Sequence, residues 1–92
     1  MDLTFEWDEE KANSNFKKHR VAFEEGKTVF GDPIALTIHG PSHSFAEDRY
    51  VTIGRSSKGR VLFLVYTDRT PNLRFITCRL ATRSERKQYE EG

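Results

Sequence analysis

Apolar and polar residues alternate over Leu3-Thr4-Phe5-Glu6-Trp7, with Leu3, Phe5 and Trp7 on one side, which predicts a short strand. Asp8 follows as a helix N-cap. Glu9 and Glu10 in the first turn, and Lys17, Lys18, His19 and Arg20 at the far end, suit the helix macrodipole. Ala12 and Phe16 give this helix a narrow apolar stripe. A second helix is predicted over Phe23 to Phe30, with Phe23, Gly26, Val29 and Phe30 inward. Gly31 ends it and Pro33 blocks its resumption. Gly26 inside that helix costs about 1 kcal/mol relative to Ala, which points to close packing there.

Ile34 to Ile38 reads as the next strand, and His39-Gly40-Pro41-Ser42-His43-Ser44 as a loop. Three strands then follow at hairpin spacing, Arg49 to Arg55, Arg60 to Asp68 and Leu73 to Leu80. Ser56-Ser57-Lys58-Gly59 and Arg69-Thr70-Pro71-Asn72 are their turns. Val61-Leu62-Phe63-Leu64-Val65 is apolar on both faces, as a central strand should be. Thr82-Arg83-Ser84-Glu85 has the form of a capping box and starts a helix that runs through Tyr89. The elements add up to an α+β fold. Its expected form is an antiparallel sheet of about four strands, with two N-terminal helices and a short C-terminal helix on one face.

The 92 residues make one domain, 1–92, with a thin core and no room for a large cofactor pocket. The longest apolar run, Val61 to Tyr66, is far too short for a membrane span, and the N-terminus lacks the basic and apolar regions of a signal peptide. Cys78, the single cysteine, falls in an alternating strand pattern and is expected to be a small core residue. A cytoplasmic location and no membrane contact are the simple expectation. His39 and His43 share a loop with no third ligand nearby, so neither a metal site nor any cofactor is expected.

The net charge of +1 hides an asymmetry: within residues 55–87 nine basic residues face only Asp68 and Glu85. Such a concentrated field suits a polyanion. Strand alternation puts Arg49, Val51, Ile53 and Arg55 on one face. It puts Leu73, Phe75, Thr77 and Arg79 on one side of the last strand, and Arg74, Ile76, Cys78 and Leu80 on the other. Arg79, inside a strand, needs a wet face or a paired charge. Arg83 lies in a first helical turn, where the macrodipole disfavours it, and Arg86 and Lys87 follow one turn on. Guanidinium groups grip phosphate bidentately, and fixed cations can stabilise the charge that builds when a ribose 2′-OH attacks its neighbouring phosphate. Arg55, Lys58, Arg60, Tyr66, Arg86 and Lys87 are candidates for substrate binding. Tyr66, Tyr89, Glu47, Lys58 and the histidines, His19 among them, are candidates to move the proton. The plainer alternative is that Arg–Asp/Glu pairs staple the sheet to the helices.

Trp7-Asp8-x-x-Lys11-x-x-x-Asn15-x-x-Lys18-His19-x-Val21-x-Phe23 resembles the opening of the BrnT toxin family. So do Asp32-Pro33, Arg49-x-x-x-Ile53-Gly54, and the ending Arg74-x-Ile76-x-x-Arg79-x-Ala81-x-x-x-Glu85-x-x-x-Tyr89. The resemblance implies a RelE-like fold and a ribonuclease toxin of a bacterial type II toxin–antitoxin pair that inhibits translation by cutting RNA. It also implies a partner antitoxin with a ribbon-helix-helix DNA-binding domain, so that DNA is bound only through the complex. By position it assigns Arg49, Arg74, Arg79 and Arg83 as catalytic, binding phosphate and stabilising the transition state without a metal. Ala22 and Gly26 depart from the family pattern at a helix cap and in a helix, where they touch stability. Two further readings stand beside this one: a non-catalytic RNA- or antitoxin-binding module, and a structural oligomer subunit. An apolar patch around Ile34 to Ile38, or on the outer edge of the helices, is expected to seat the antitoxin and to allow a homodimer of the toxin alone.

Overall fold

A computed structural model describes residues 3–39 and 49–92. The strands are β1 (Thr4–Glu6), β2 (Leu36–His39), β3 (Arg49–Arg55), β4 (Val61–Arg69) and β5 (Asn72–Leu80); the helices are α1 (Glu9–His19), α2 (Phe23–Lys27) and α3 (Arg83–Glu91). The strands form one sheet in the order β1-β5-β4-β3-β2. The expectation of about four antiparallel strands is corrected to a mixed sheet of five. β3, β4 and β5 make the expected meander, but β1 pairs with β5 in parallel, Thr4 opposite Asn72. A parallel neighbour has to be reached by a crossover rather than a hairpin, and here the crossover contains every element between β1 and β5.

Local chemistry sets the helices as expected. The Asp8 carboxylate accepts from the backbone N–H of Glu10 and Lys11, and Arg20 closes α1 in the left-handed region at φ 59°. Thr82 and Glu85 form the full capping box of α3. The second helix is shorter than Phe23 to Phe30: after Lys27 the chain tightens into a 3-10 turn, Thr28–Gly31. The Thr28 hydroxyl donates to the Glu25 carbonyl at 2.6 Å.

The helices do not share one face, which is a second correction. Leu62, Leu64, Tyr66, Phe75 and Cys78 pack with Val21, Phe23 and Val29 in the core under α1 and α2. Ile53 and Val61, which point the other way by alternation, pack with Tyr89 of α3. The sheet is therefore a middle layer, and α3 covers one end of its second face. Gly26 bears out the close packing it suggested, since a Cβ there would lie 2.9 Å from Leu64 Cδ2 and 3.1 Å from Cys78 Sγ.

Asn15, buried on α1, ties the helical layer to the sheet. Its Nδ2 donates to the carbonyls of Val21 and Cys78 at 2.9 and 2.8 Å, and its Oδ1 accepts from the Cys78 N–H and the Thr77 hydroxyl at 3.1 Å each. Just before this contact β5 carries a bulge. Tyr66 faces Phe75 but Val65 faces Thr77, so Ile76 is extra. The bulge reverses the alternation: Leu73 and Phe75 are buried before it and Cys78 after it.

Gly54 lets β3 lie against the turn that follows α2. A Cβ there would lie 2.7 Å from Val29 Cγ1 and 2.9 Å from Ala35 Cβ. Gly54→Ala is expected to destabilise the fold by about 1–3 kcal/mol, lowering Tm by roughly 4–8 °C for each of those kilocalories. Thermal denaturation followed by circular dichroism checks this, and an unchanged Tm would show that the contact relaxes freely.

Candidate functional site

The second face of the sheet carries the strand arginines. Arg49 is opposite Thr67 and Thr67 is opposite Arg74, so these three form one cross-strand row; two rows on, Ile53 is opposite Phe63 and Phe63 opposite Arg79. The Arg79 guanidinium lies 4.0 Å from the centre of the Phe63 ring. Simple alternation sends Arg74 and Arg79 to opposite faces. The extra residue at Ile76 corrects this and brings both to the face that holds Arg49. Arg55 belongs to the same face, at the end where Val61 and Ile53 pack with α3.

Most of these cations already have partners, as the stapling alternative supposes. Arg79 and Glu85 pair through two contacts, Nη1–Oε1 at 2.8 Å and Nη2–Oε2 at 3.0 Å. Glu85 Oε1 also accepts from the Thr82 N–H at 2.8 Å, so one carboxylate caps α3 and docks it on β5. Arg74 donates to Glu6 at 2.9 Å, and Arg69 lies 3.8 Å from the same carboxylate. Arg60 pairs with Glu25, whose side chain is 3% exposed and also accepts from Ser56 at 2.7 Å. The Arg74 guanidinium holds the Glu6 carboxyl below its ordinary range, and Arg79 does the same for Glu85. Arg49 is exposed and makes no ion pair or side-chain hydrogen bond with any described residue.

Of the other candidates, Arg55, Arg60 and Arg86 line one hollow beside Val61, Leu80 and Glu90, and the rest are dispersed. Arg83, Arg86 and Lys87 are exposed and line a hollow with Glu90 and Glu91, away from the stripe of α3 that carries Glu85 and Tyr89. Arg55 donates to the Gly59 carbonyl at 3.0 Å, and Lys58 is exposed in the same turn. Tyr66 is buried under the helices, on the face opposite the arginines, with its hydroxyl 2.8 Å from that of Thr52. Burial pushes its phenol above the ordinary range. Tyr89 donates to Asp32 at 2.6 Å, a bond that raises its pKa. Burial pushes the Cys78 thiol up to about 12, in keeping with a core residue. His19 is half-buried at the end of α1, and His39 is exposed beside Tyr50, with ring centres 4.9 Å apart. His43 and Glu47 lie outside the described residues. Sequence reasoning passed over Thr67 and Phe63. Alternation along β4, Val61-Phe63-Val65-Thr67, is the signal that places both on the arginine face.

Fold and face together define a small α+β domain with a basic sheet face suited to a polyanion. A family model described as the ribonuclease toxin BrnT of type II toxin–antitoxin systems matches residues 7–85. The chain belongs to that family, and membership implies an antitoxin partner and an RNA substrate. The crystal structure of the ribonuclease toxin BrnT from Brucella abortus has the same fold, with a TM-score of 0.71 and 20% identity, over 89% of this chain and 100% of that one. No curated protein matches the chain. No helix among the described residues is long and apolar enough to cross a membrane.

The Glu25 carboxyl is held below its ordinary range by the Arg60 guanidinium, against the opposing effect of burial and with help from Ser56. A depressed carboxylate contributes its stability above the unfolded-state value, about pH 4.3, and loses it as pH falls through the folded-state value. Glu25→Gln should therefore be about 1.5–3 kcal/mol less stable at neutral pH and should lose less on acidification. Tm measured against pH for both proteins checks this; parallel acid limbs would refute it.

Proposed function

We infer that the protein is an endoribonuclease toxin whose substrate phosphate sits on the second face of the sheet, over Arg49 and Arg74 and towards Arg79. The supporting observation is the row Arg49–Thr67–Arg74, with Arg49 exposed and its donors uncommitted to any described residue. Arg49 grips the phosphate. Arg74 donates from the edge that Glu6 does not occupy, and Arg79 adds field and sets α3 beside the site. Charge that builds on the phosphate oxygens as the 2′-OH attacks meets fixed cations, so the step needs no metal. Arg83, Arg86 and Lys87, with Arg55 and Lys58, extend the positive field along the RNA backbone. Tyr66 and Arg60 act as structural groups in this reading.

The same reading places the protein in the cytoplasm, where cutting RNA halts translation, and makes it a RelE-like toxin neutralised by a ribbon-helix-helix antitoxin that carries the DNA contacts. Exposed apolar residues support a protein partner. Ile34 and Ile38 stand 66% and 41% exposed at β2, the edge strand among the described residues, and Phe16, 46% exposed, borders a hollow of ≈ 380 Å³ with Trp7, Ala12 and Phe23. Self-association of the free toxin would use the same surfaces. One observation favours a non-catalytic module instead: the carboxylates beside the arginines, Glu6 and Glu85, are held ionised in ion pairs and make poor proton carriers.

Arg49→Ala separates these readings, because Arg49 has no partner to strand among the described residues. RNA cleavage in EDTA should fall about 10²–10³-fold, with Tm unchanged. If the parent protein leaves RNA intact in EDTA and does not arrest growth on expression, the catalytic reading fails and the binding module stands.

A further inference from the structure

Among the described residues, the Thr67 hydroxyl is the one buried side-chain oxygen or nitrogen without a hydrogen-bond partner. The other buried hydroxyls are engaged: Thr52 lies between Thr37 and Tyr66, and Ser56 donates to Glu25. An unsatisfied buried hydroxyl opposes folding, and such groups are rare in native proteins. Folding gives no reason for a hydroxyl here. The preceding residues on the same face of β4 are Val61, Phe63 and Val65, and valine has nearly the shape of threonine.

The neighbours leave the hydroxyl proton without an acceptor. Thr67 is 4% exposed and stands between Arg49 on β3 and Arg74 on β5. Directly opposed residues on antiparallel strands have Cα atoms about 4.5–5.5 Å apart, so the side chains of the row are in reach of one another. A guanidinium has five donors and no acceptor, so neither arginine can take the Thr67 proton. Thr67 and Arg49 have no acceptor among the described residues, and Arg74 has one terminal nitrogen on Glu6 and further donors left over. A phosphate diester supplies an acceptor for these donors, with two non-bridging oxygens that carry the charge.

We propose that Thr67 is a third phosphate-binding group, its hydroxyl, covered in the free protein, donating its proton to a non-bridging oxygen of the RNA phosphate once the flanking Arg49 and Arg74 side chains turn to hold that phosphate. The inference rests on the reading above that this face binds RNA. Thr67 contributes binding and orientation and transfers no proton. Its unsatisfied state in the free protein is the consequence of keeping a donor in place for the ligand.

The test uses the full chain with Thr67→Val, Thr67→Ser and Arg49→Ala. The probes are a single-stranded oligoribonucleotide with every 2′-OH methylated, so that it is not cut, and inorganic phosphate as competitor. Thr67→Val should bind the oligonucleotide about tenfold or more weakly, the effect of one hydrogen bond to a charged group. Its Tm should be equal to or above that of the parent, while Thr67→Ser keeps the parent affinity. Weaker binding with undiminished stability is a combination that a purely structural threonine does not give. Parent-like binding by Thr67→Val, while Arg49→Ala binds weakly, overturns the role of the hydroxyl and leaves the face intact. Parent-like binding by both variants overturns the face itself, and the hydroxyl with it. A lowered Tm in Thr67→Val, or failure of Thr67→Ser to keep affinity, shows that the hydroxyl or the methyl serves the fold and overturns the proposal.

Discussion

The side chain of Asn15 does what a neighbouring strand would do for β5. β1 is only three residues long and ends opposite Arg74, so among the described residues the outer edge of β5 beyond that point has no strand beside it. Asn15 pairs with both the N–H and the carbonyl of Cys78, and reaches the Val21 carbonyl between α1 and α2 with the same amide. An asparagine carries one carbonyl and two N–H donors, which is the complement an exposed strand edge asks for. The consequences spread in both directions. On one side the bond fixes the junction from which α2 starts, and so sets Gly26 against Leu64 and Cys78. On the other it fixes the register of β5 immediately after the bulge at Ile76. A slip of one residue there would send Arg79 to the helical face and separate it from Arg49 and Arg74. The basic face thus depends on a neutral amide lying on the opposite side of the sheet.

Charge is arranged with a similar economy. A sheet face holding Arg49, Arg55, Arg74 and Arg79 would repel itself if left bare, and a thin core cannot absorb much strain. Glu6 and Glu85 relieve this from the margins, one on the short edge strand and one in the first turn of α3. Each does a second job, since Glu6 also accepts from Asn72 and Glu85 caps its helix. Glu25 and Arg60 form a separate pair on the helical side, with a more deeply buried carboxylate, concerned with docking α2 on the turn after β3. Arg49, at the start of β3, is left as the strand arginine with its donors uncommitted to any described residue.

Much of this was legible in the residues. Both helix caps, the meander, the core role of Cys78 and the shared face of Arg49, Val51, Ile53 and Arg55 followed from local pattern. The failures have local causes as well. Phe75-Ile76 sets two apolar residues side by side and moves the apolar phase from Leu73 and Phe75 to Ile76, Cys78 and Leu80; strict period-two counting read through that break, with no glycine or proline to mark it as the bulge. Glu85 fitted a capping box completely, which left no sign that it also pairs with Arg79. The parallel partnership of β1 with β5 joins residues 68 apart, Thr4 and Asn72, and no short-range signal carries that. The position of α3 on the second face required knowing that Ile53 and Val61 leave an apolar gap there. Two-sided hydrophobicity in β4 implied such a cover without saying which helix supplied it.

The choice of arginine over lysine at these positions has a reason in the count of donors. A guanidinium offers five N–H groups along two edges, so it can hold a carboxylate with one and an incoming phosphate with another, which a lysine ammonium cannot do in a fixed geometry. The contacts rank the four residues by what they have left. Arg60 spends Nε and Nη2 on Glu25 and the Arg20 carbonyl, and is structural. Arg79 spends both terminal nitrogens on Glu85 and Leu80 and rests on Phe63. Arg74 spends one nitrogen on Glu6, and Arg49 spends none on any described residue. The same order runs from the helical layer to the row Arg49–Thr67–Arg74. The capacity to bind an anion is therefore graded across the molecule and highest where Arg49, Thr67 and Arg74 stand side by side.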